Sequence, residues 1–171
     1  MKILLPVDGS PQSLSAVMLV VRLVGEGLRT SVVLANVQEP ASLYEMLRLH
    51  DAEAIERMAT TAGEHALAAA TVLVERAGID YESEVCSGDP AHTIIDLVER
   101  YGCDAVVMGA RGLGAGRSAP IGSVANEVLH AAQVPVTIVK GGGAADPAND
   151  LMVDEVPATA AGLQGGIEMG S

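Results

Sequence analysis

Residues 104–123 read DAVVMGARGLGAGRSAPIGS, and the change of character along this stretch decides the fold. Asp104 is followed by the unbroken apolar run Ala105 to Met108, whose length and β-branched content predict a strand buried on both faces. Glycines then stand at Gly109, Gly112, Gly114 and Gly116, with Arg111 and Arg117 among them. The loop closes on Gly122-Ser123, where Val124, Val128 and Leu129 open a helical spacing. Strand, glycine loop and helix N-terminus in that order suit an anion. Glycines let the backbone approach closely and turn its N–H groups inward, and the helix dipole favours negative charge there. The spacing is G-x-x-G, nine residues, then G-S. It is neither the Walker loop nor the G-x-G-x-x-G fingerprint. The plainer reading of the same stretch is a flexible connection between a strand and a helix.

Outward from this unit, the pattern repeats. Lys2 to Val7 is a first apolar strand, and Ser10 caps a helix with Pro11 at its first position, where a missing N–H costs nothing. Leu14, Val17, Met18, Val21 and Val24 keep helical spacing until Gly25 and Gly27. Ser31 to Val37 is a second strand. Ser42-Leu43-Tyr44-Glu45 reads as a capping box, and Asp51 caps a helical segment running to Ala77, with Gly63 as a bend and Gly78 as the stop. Tyr81 to Cys86 alternates and is more polar, as an edge strand is. Asp89-Pro90 starts a helix carrying Ile94, Ile95, Val98 and Tyr101, and Val134 to Val139 is a fifth strand. Strands alternating with helices imply an α/β fold with a parallel sheet and right-handed crossovers. Ligands of such sheets sit outside the carboxyl ends of the strands.

Gly109, Gly112, Gly122 and Ser123 do not stand alone. Together with Pro6-Val7-Asp8-Gly9-Ser10, Gly88-Asp89-Pro90 and Val134-Pro135-Val136, they make residues 1–140 resemble the universal stress protein family in its ATP-binding branch. That resemblance implies a Rossmann-like, five-stranded parallel sheet of order 3-2-1-4-5 with helices on both faces. It implies an ATP site at Pro6, Val7, Asp8, Val37, Met108, Gly109, Arg111, Gly112, Gly122, Ser123 and Val124. Adenine would meet backbone groups of Val37, and Asp8 would help hold magnesium or accept a ribose hydroxyl; as a plain structural group Asp8 would supplement the cap at Ser10. Ser123 would donate to a phosphate or serve only as a helix cap. Arg111 stands where the family often has a basic or aromatic residue, whereas Arg117 lies in its variable stretch. Pro120 departs from the family's bulky apolar residue. The resemblance further implies a homodimer through residues 134–139 and a regulatory, stress-response role; the rival reading is a slow ATPase or phosphotransferase using the same site.

Composition narrows the alternatives. The 171 residues are 49% hydrophobic but lack Trp and Phe, so the core is expected from Val, Leu, Ile, Ala and Met. The net charge of -12 argues against sequence-independent nucleic-acid binding, which needs a Lys/Arg surface. All ten Lys and Arg lie in residues 1–140, against 17 acids there, whereas residues 141–171 carry five acids and no base. That Gly/Ala/Pro-rich segment reads as a disordered tail to a 1–140 domain. Cys86 and Cys103 fit neither a metal spacing nor a disulfide framework and are expected as buried thiols. Met1 to Val7 is too short for a signal peptide and no apolar run is long enough to span a membrane, so the chain reads as cytoplasmic. His50, His65, His92 and His130 are scattered, with no Ser-His-Asp order and no H-E-x-x-H run. Asp8 is the one group beside the glycine loop that could act as a base.

Overall fold

Successive side chains of a strand point to opposite faces, and β1 (Lys2–Pro6) is apolar on both. Ile3, Leu5 and the following Val7 enter one core cluster and Leu4 the other, none more than 3% exposed. A strand buried in this way needs a neighbour on each edge and helices on each face. The computed structural model, which describes residues 1–40, 52–113 and 120–140, supplies both. The elements that follow are α1 (Pro11–Gly25), β2 (Ser31–Gln38), α2 (Ala52–Arg76), β3 (Tyr81–Ser87), α3 (Pro90–Tyr101), β4 (Ala105–Gly109), α4 (Ser123–Ala131) and β5 (Val136–Val139). The sheet runs β3-β2-β1-β4-β5 with every pairing parallel, the order the resemblance implied. Ala16, Val17 and Val20 of α1 and Leu67, Ala70 and Val74 of α2 cover one face. Ala91, Ile94 and Leu97 of α3 and Ala125 and Val128 of α4 cover the other. The expected capping box at Ser42, the cap at Asp51, Arg117, His50 and the segment 141–171 lie outside the described residues.

Local chemistry sets the helix ends. The Ser10 hydroxyl accepts the Ser13 N–H at 3.1 Å at the start of α1, and Asp89 accepts the His92 N–H at 3.0 Å at the start of α3. Gly102 ends α3 in the left-handed region at φ 59°. Three sequence expectations shift. The last strand begins at Val136, not Val134: Pro135 has no N–H to donate, although its carbonyl accepts Val106 N–H at 2.9 Å. Leu129 is 42% exposed, because Ala125 and Val128 form the inward stripe of α4. Cys103 is buried, but Cys86 is only half-buried, its thiol pushed up to about 11 by burial and by the neighbouring Glu84 carboxylate.

Gly63 also carries a different meaning from the expected one. It interrupts nothing, since α2 runs through it. A Cβ there would lie 2.4 Å from Val85 Cγ1 and 2.8 Å from Asn36 Oδ1, so its absence lets α2 settle onto β2 and β3. Alanine in a helix interior is ordinarily favoured over glycine by about 1 kcal/mol. Here the clash with a χ1-stiff valine opposes that gain with an overpacking penalty of about 1–3 kcal/mol. Gly63→Ala is therefore expected to lower the thermal midpoint, whereas Gly25→Ala, with no atom within 4 Å of the new Cβ, is expected to raise it slightly. A Gly63→Ala protein that melts above the parent in a calorimetric scan refutes the close-approach role.

Candidate functional site

The carboxyl ends of β2, β1 and β4 open into a cleft of about 800 Å³, completed by the starts of α3 and α4. Every site residue expected from the sequence lines it: Pro6, Val7 and Asp8 after β1, Val37 on β2, Met108 and Gly109 on β4, Arg111 and Gly112 in the glycine loop, and Gly122, Ser123 and Val124 at the start of α4. Val7 and Met108 are buried and, with Ala35, Ile94, Ile121 and Ala125, make an apolar floor. Polar groups stand at the rim, the composition usual for a small-molecule site. Among the described residues, Arg111 is the one cation on this lining and has no ion-pair partner.

Asp8 joins the two halves of the site. Its Oδ1 accepts the Ser10 N–H at 3.0 Å, and its Oδ2 accepts the Leu113 N–H at 2.9 Å across the cleft mouth. Burial, the largest single influence, raises its pKa. Hydrogen bonds involving Ser10, Ser13 and Leu113 together outweigh that, so the carboxyl titrates below its ordinary range. The glycines of the loop prove to serve the chain itself in part. A Cβ on Gly112 would lie 2.5 Å from Asp8 Oδ2, and one on Gly109 would lie 2.9 Å from the Gln12 backbone carbon. Without side chains at these two positions, β4 and its loop can close onto the start of α1.

Gly122 is the N-cap of α4 at φ -73°, ψ 165°, a conformation open to any residue. Its own N–H is bonded to the Ala110 carbonyl at 2.7 Å, and the first helical bond runs from Asn126 N–H to the Gly122 carbonyl at 3.0 Å. The N–H groups of Ser123, Val124 and Ala125 are thus the ones left without a helical partner. Ser123 is the first helical residue and makes no cap hydrogen bond, which corrects its reading as the cap and leaves its exposed hydroxyl uncommitted to that task.

Asn36, Gln38 and Glu39 also line the cleft and were passed over in the sequence. The signal was present: Asn36 is a polar residue inside an otherwise apolar strand and must find partners there. His92 is exposed near the start of α3. Its Nδ1 lies 2.8 Å from Asp89 Oδ1 and 3.9 Å from Glu127 Oε1, a hydrogen bond that raises the His92 pKa. Two of that exposed trio, Asp89 and His92, sit at the N-terminus of α3, where the dipole opposes a cation, and Glu127 comes from the middle of α4.

A doubly wound α/β domain with an open cleft at the switch point, where strand order reverses beside β1, is the class these features define. Residues 1–140 match the universal stress protein family, and the chain belongs to it. A universal stress protein of Methanocaldococcus jannaschii is 29% identical over 139 residues, 81% of each chain. In fold, an Arabidopsis thaliana family member solved with AMP bound aligns at a TM-score of 0.63 and 22% identity, covering 86% of this chain and 98% of that one. A universal stress protein solved in complex with cAMP aligns at 0.61 and 22%, covering 81% and 96%.

Asp8 supplies the prediction. A carboxylate whose folded pKa lies below its unfolded value of about 3.9 contributes stability above that pH and loses it as pH falls through the folded pKa. The stability difference between wild type and Asp8→Asn should therefore be largest near neutrality and fall in strong acid to the remainder that does not depend on charge. Urea unfolding of both proteins across that range measures it, and a pH-independent difference would remove the charge from the explanation.

Proposed function

We propose that this protein binds ATP in the cleft and acts as a nucleotide-dependent regulatory module. The observation that carries the reading is the convergence of all the sequence-expected site residues on one cleft with an apolar floor and an anion-favouring helix start. The triphosphate lies against the Ser123, Val124 and Ala125 N–H groups, with Arg111 facing its oxygens. The base lies over the apolar floor toward Val37. Asp8 would hold a magnesium ion that accompanies the triphosphate. Such an ion asks for one or two carboxylates plus phosphate oxygens, and each Asp8 oxygen keeps a lone pair beyond its N–H bond. The AMP and cAMP found in two relatives of the same fold support an adenine nucleotide. No helix among the described residues is long and apolar enough to cross a membrane, and the net charge of -12 opposes nucleic-acid binding; in this reading the module works in the cytoplasm on a small ligand.

Turnover is slow or absent in this reading. Asp8 is a poor base because its hydrogen bonds hold it ionised, and Glu39, the other carboxylate at the cleft, is exposed to solvent. Gly122→Val places a branched side chain at the cleft wall and is expected to weaken ATP at least about tenfold, about 1.4 kcal/mol, with the circular dichroism unchanged. Near wild-type calorimetric binding by the folded variant would sink the phosphate-loop assignment. Mass spectrometry of nucleotide carried by the purified protein identifies the ligand. Sustained phosphate release with magnesium would favour the ATPase rival instead.

Assembly follows from the sheet's two edges. β3 carries Glu82 and Glu84, which pair with Lys2 at 3.0 Å and Arg100 at 2.5 Å, and charged groups blunt an edge. β5 has no charge within Val136–Val139, and pairing two copies about a two-fold axis covers that edge on both. Ile138 packs partly on the core, so a charge there would disturb fold and interface together; Thr137 is exposed. Wild type is expected to scatter light as a dimer at micromolar concentration and Thr137→Lys as a folded monomer. A monomeric parent, or an equally tight variant dimer, refutes the β5 interface.

A further inference from the structure

Asn36 is 3% exposed, and its amide is held at both ends. Its Nδ2 donates to the Val7 carbonyl at 2.7 Å, and its Oδ1 accepts from Gln38 Nε2 at 2.5 Å. This order cannot be reversed. A backbone carbonyl only accepts, so the Asn36 NH2 must face Val7, its oxygen must face Gln38, and Gln38 must answer with its own NH2. The polarity fixed at Val7 is thereby passed outward through two amides. The chain of donors ends at Gln38 Oε1, an acceptor with no partner among the described residues, on a half-buried side chain that lines the cleft.

The position of that acceptor suits a base. In the order β2-β1-β4, the end of β2 is two strand spacings, about 10 Å, from the end of β4. With phosphates at the α4 start beyond β4, a nucleotide lying across β1 brings its base to the end of β2. We propose that Gln38 Oε1 accepts a hydrogen bond from the exocyclic amino group of adenine, and that Asn36 makes this preference obligatory by preventing the Gln38 amide from turning over. The inference rests on the adenine-nucleotide reading of the cleft and adds the side chains that enforce it. A base with an oxo group in place of the amino group would set acceptor against acceptor. Turning Gln38 to offer its NH2 would then forfeit the bond to the buried Asn36 oxygen. Sites built to receive a particular donor discriminate most strongly when the alternative leaves a buried polar group unpaired.

ATP and ITP share ribose and triphosphate and differ only along one edge of the base, where ITP carries an oxo group and an N1–H in place of the amino group and the bare N1, so their affinity ratio isolates the base contact from the phosphate cradle. Calorimetry with each nucleotide is expected to show wild type favouring ATP by about tenfold or more. Gln38→Leu should bring the ratio close to one while keeping most of the ITP affinity. Asn36→Ala, if folded, should relax the ratio in the same direction although residue 36 is not the group that meets the base. Because Asn36 is buried and its variant can fail to fold, Gln38→Leu at the half-buried position decides the matter alone. Wild-type binding of ATP and ITP with equal affinity, or a Gln38→Leu protein with the parental ratio, overturns the proposal while leaving nucleotide binding intact. A wild type that binds neither nucleotide overturns the adenine-nucleotide reading itself.

Discussion

A half-buried carboxylate at the end of a central strand must be hydrogen-bonded or neutral. Much of this site follows from how Asp8 is satisfied. The chain turns at Gly9, at φ 81°, so that the Ser10 N–H returns to Oδ1, and that turn delivers Ser10 as the cap of α1. The second oxygen takes the Leu113 N–H, 105 residues away, and pins the start of the glycine loop over the neighbouring strand. Gly112 must then be a glycine for steric reasons, and Gly109 likewise, because α1 begins close against the end of β4. The short segment after β1 therefore sets a helix start and the entry of the loop that borders the cleft.

Most of the fold was legible because each strand advertises itself. Ala105 to Met108 is a short apolar run, and a strand covered on both faces needs to be nothing else. Helix starts were equally readable at Ser10-Pro11 and Asp89-Pro90, where cap chemistry is local. The strand order was not in the periodicity; it came from the family resemblance, since which apolar run lies beside which depends on long-range pairing. The steric part played by three glycines was hidden for a common reason. Gly63, Gly109 and Gly112 all answer to atoms far away in sequence, Val85, Gln12 and Asp8, and no local pattern shows that a residue is missing its side chain for a distant neighbour's sake. Asn36 is the converse case. Its polarity inside LAN was visible, but its partners at Val7 and Gln38 exist only once β1 and β2 are side by side.

The sheet is asymmetric in how its edges are finished. At β3, Glu84 gathers the Arg100 guanidinium, the Tyr101 hydroxyl and the Cys86 thiol, and the Lys2 ammonium pairs with Glu82 while lying 5.8 Å from the Tyr101 ring centre. The hydrogen bond to the Glu84 carboxylate, more than burial, pushes the Tyr101 hydroxyl up to about 12. Each of these pairs is partly solvated and adds little to stability alone. Their common effect is to charge that edge and anchor it to α3 and β1. At β5 the side chains are Val, Thr, Ile and Val. Among the described residues, one edge strand carries paired charges and the other carries none.

Binding and turnover make opposing demands on the group at the end of β1. A general base works best when its pKa lies near the working pH, which calls for burial with few donors. A carboxylate that accepts N–H groups on both oxygens is driven the other way. Raising the Asp8 pKa would require taking those donors away, and they are the bonds that fix the turn into α1 and hold the glycine loop. The architecture that shapes the cleft therefore also disarms its best-placed carboxylate. A variant that gained hydrolysis through Asp8 would have to loosen the loop that lines its own site. Conversely, the fixed negative charge is well suited to a metal counter-ion or a hydroxyl donor, since neither requires the carboxylate to surrender or take up a proton. The two amides beside it are fixed in the same sense: Asn36 and Gln38 have no orientation to spare. Taken together these groups make a site whose polarity is set before any ligand arrives, which favours selection among ligands over chemistry on them.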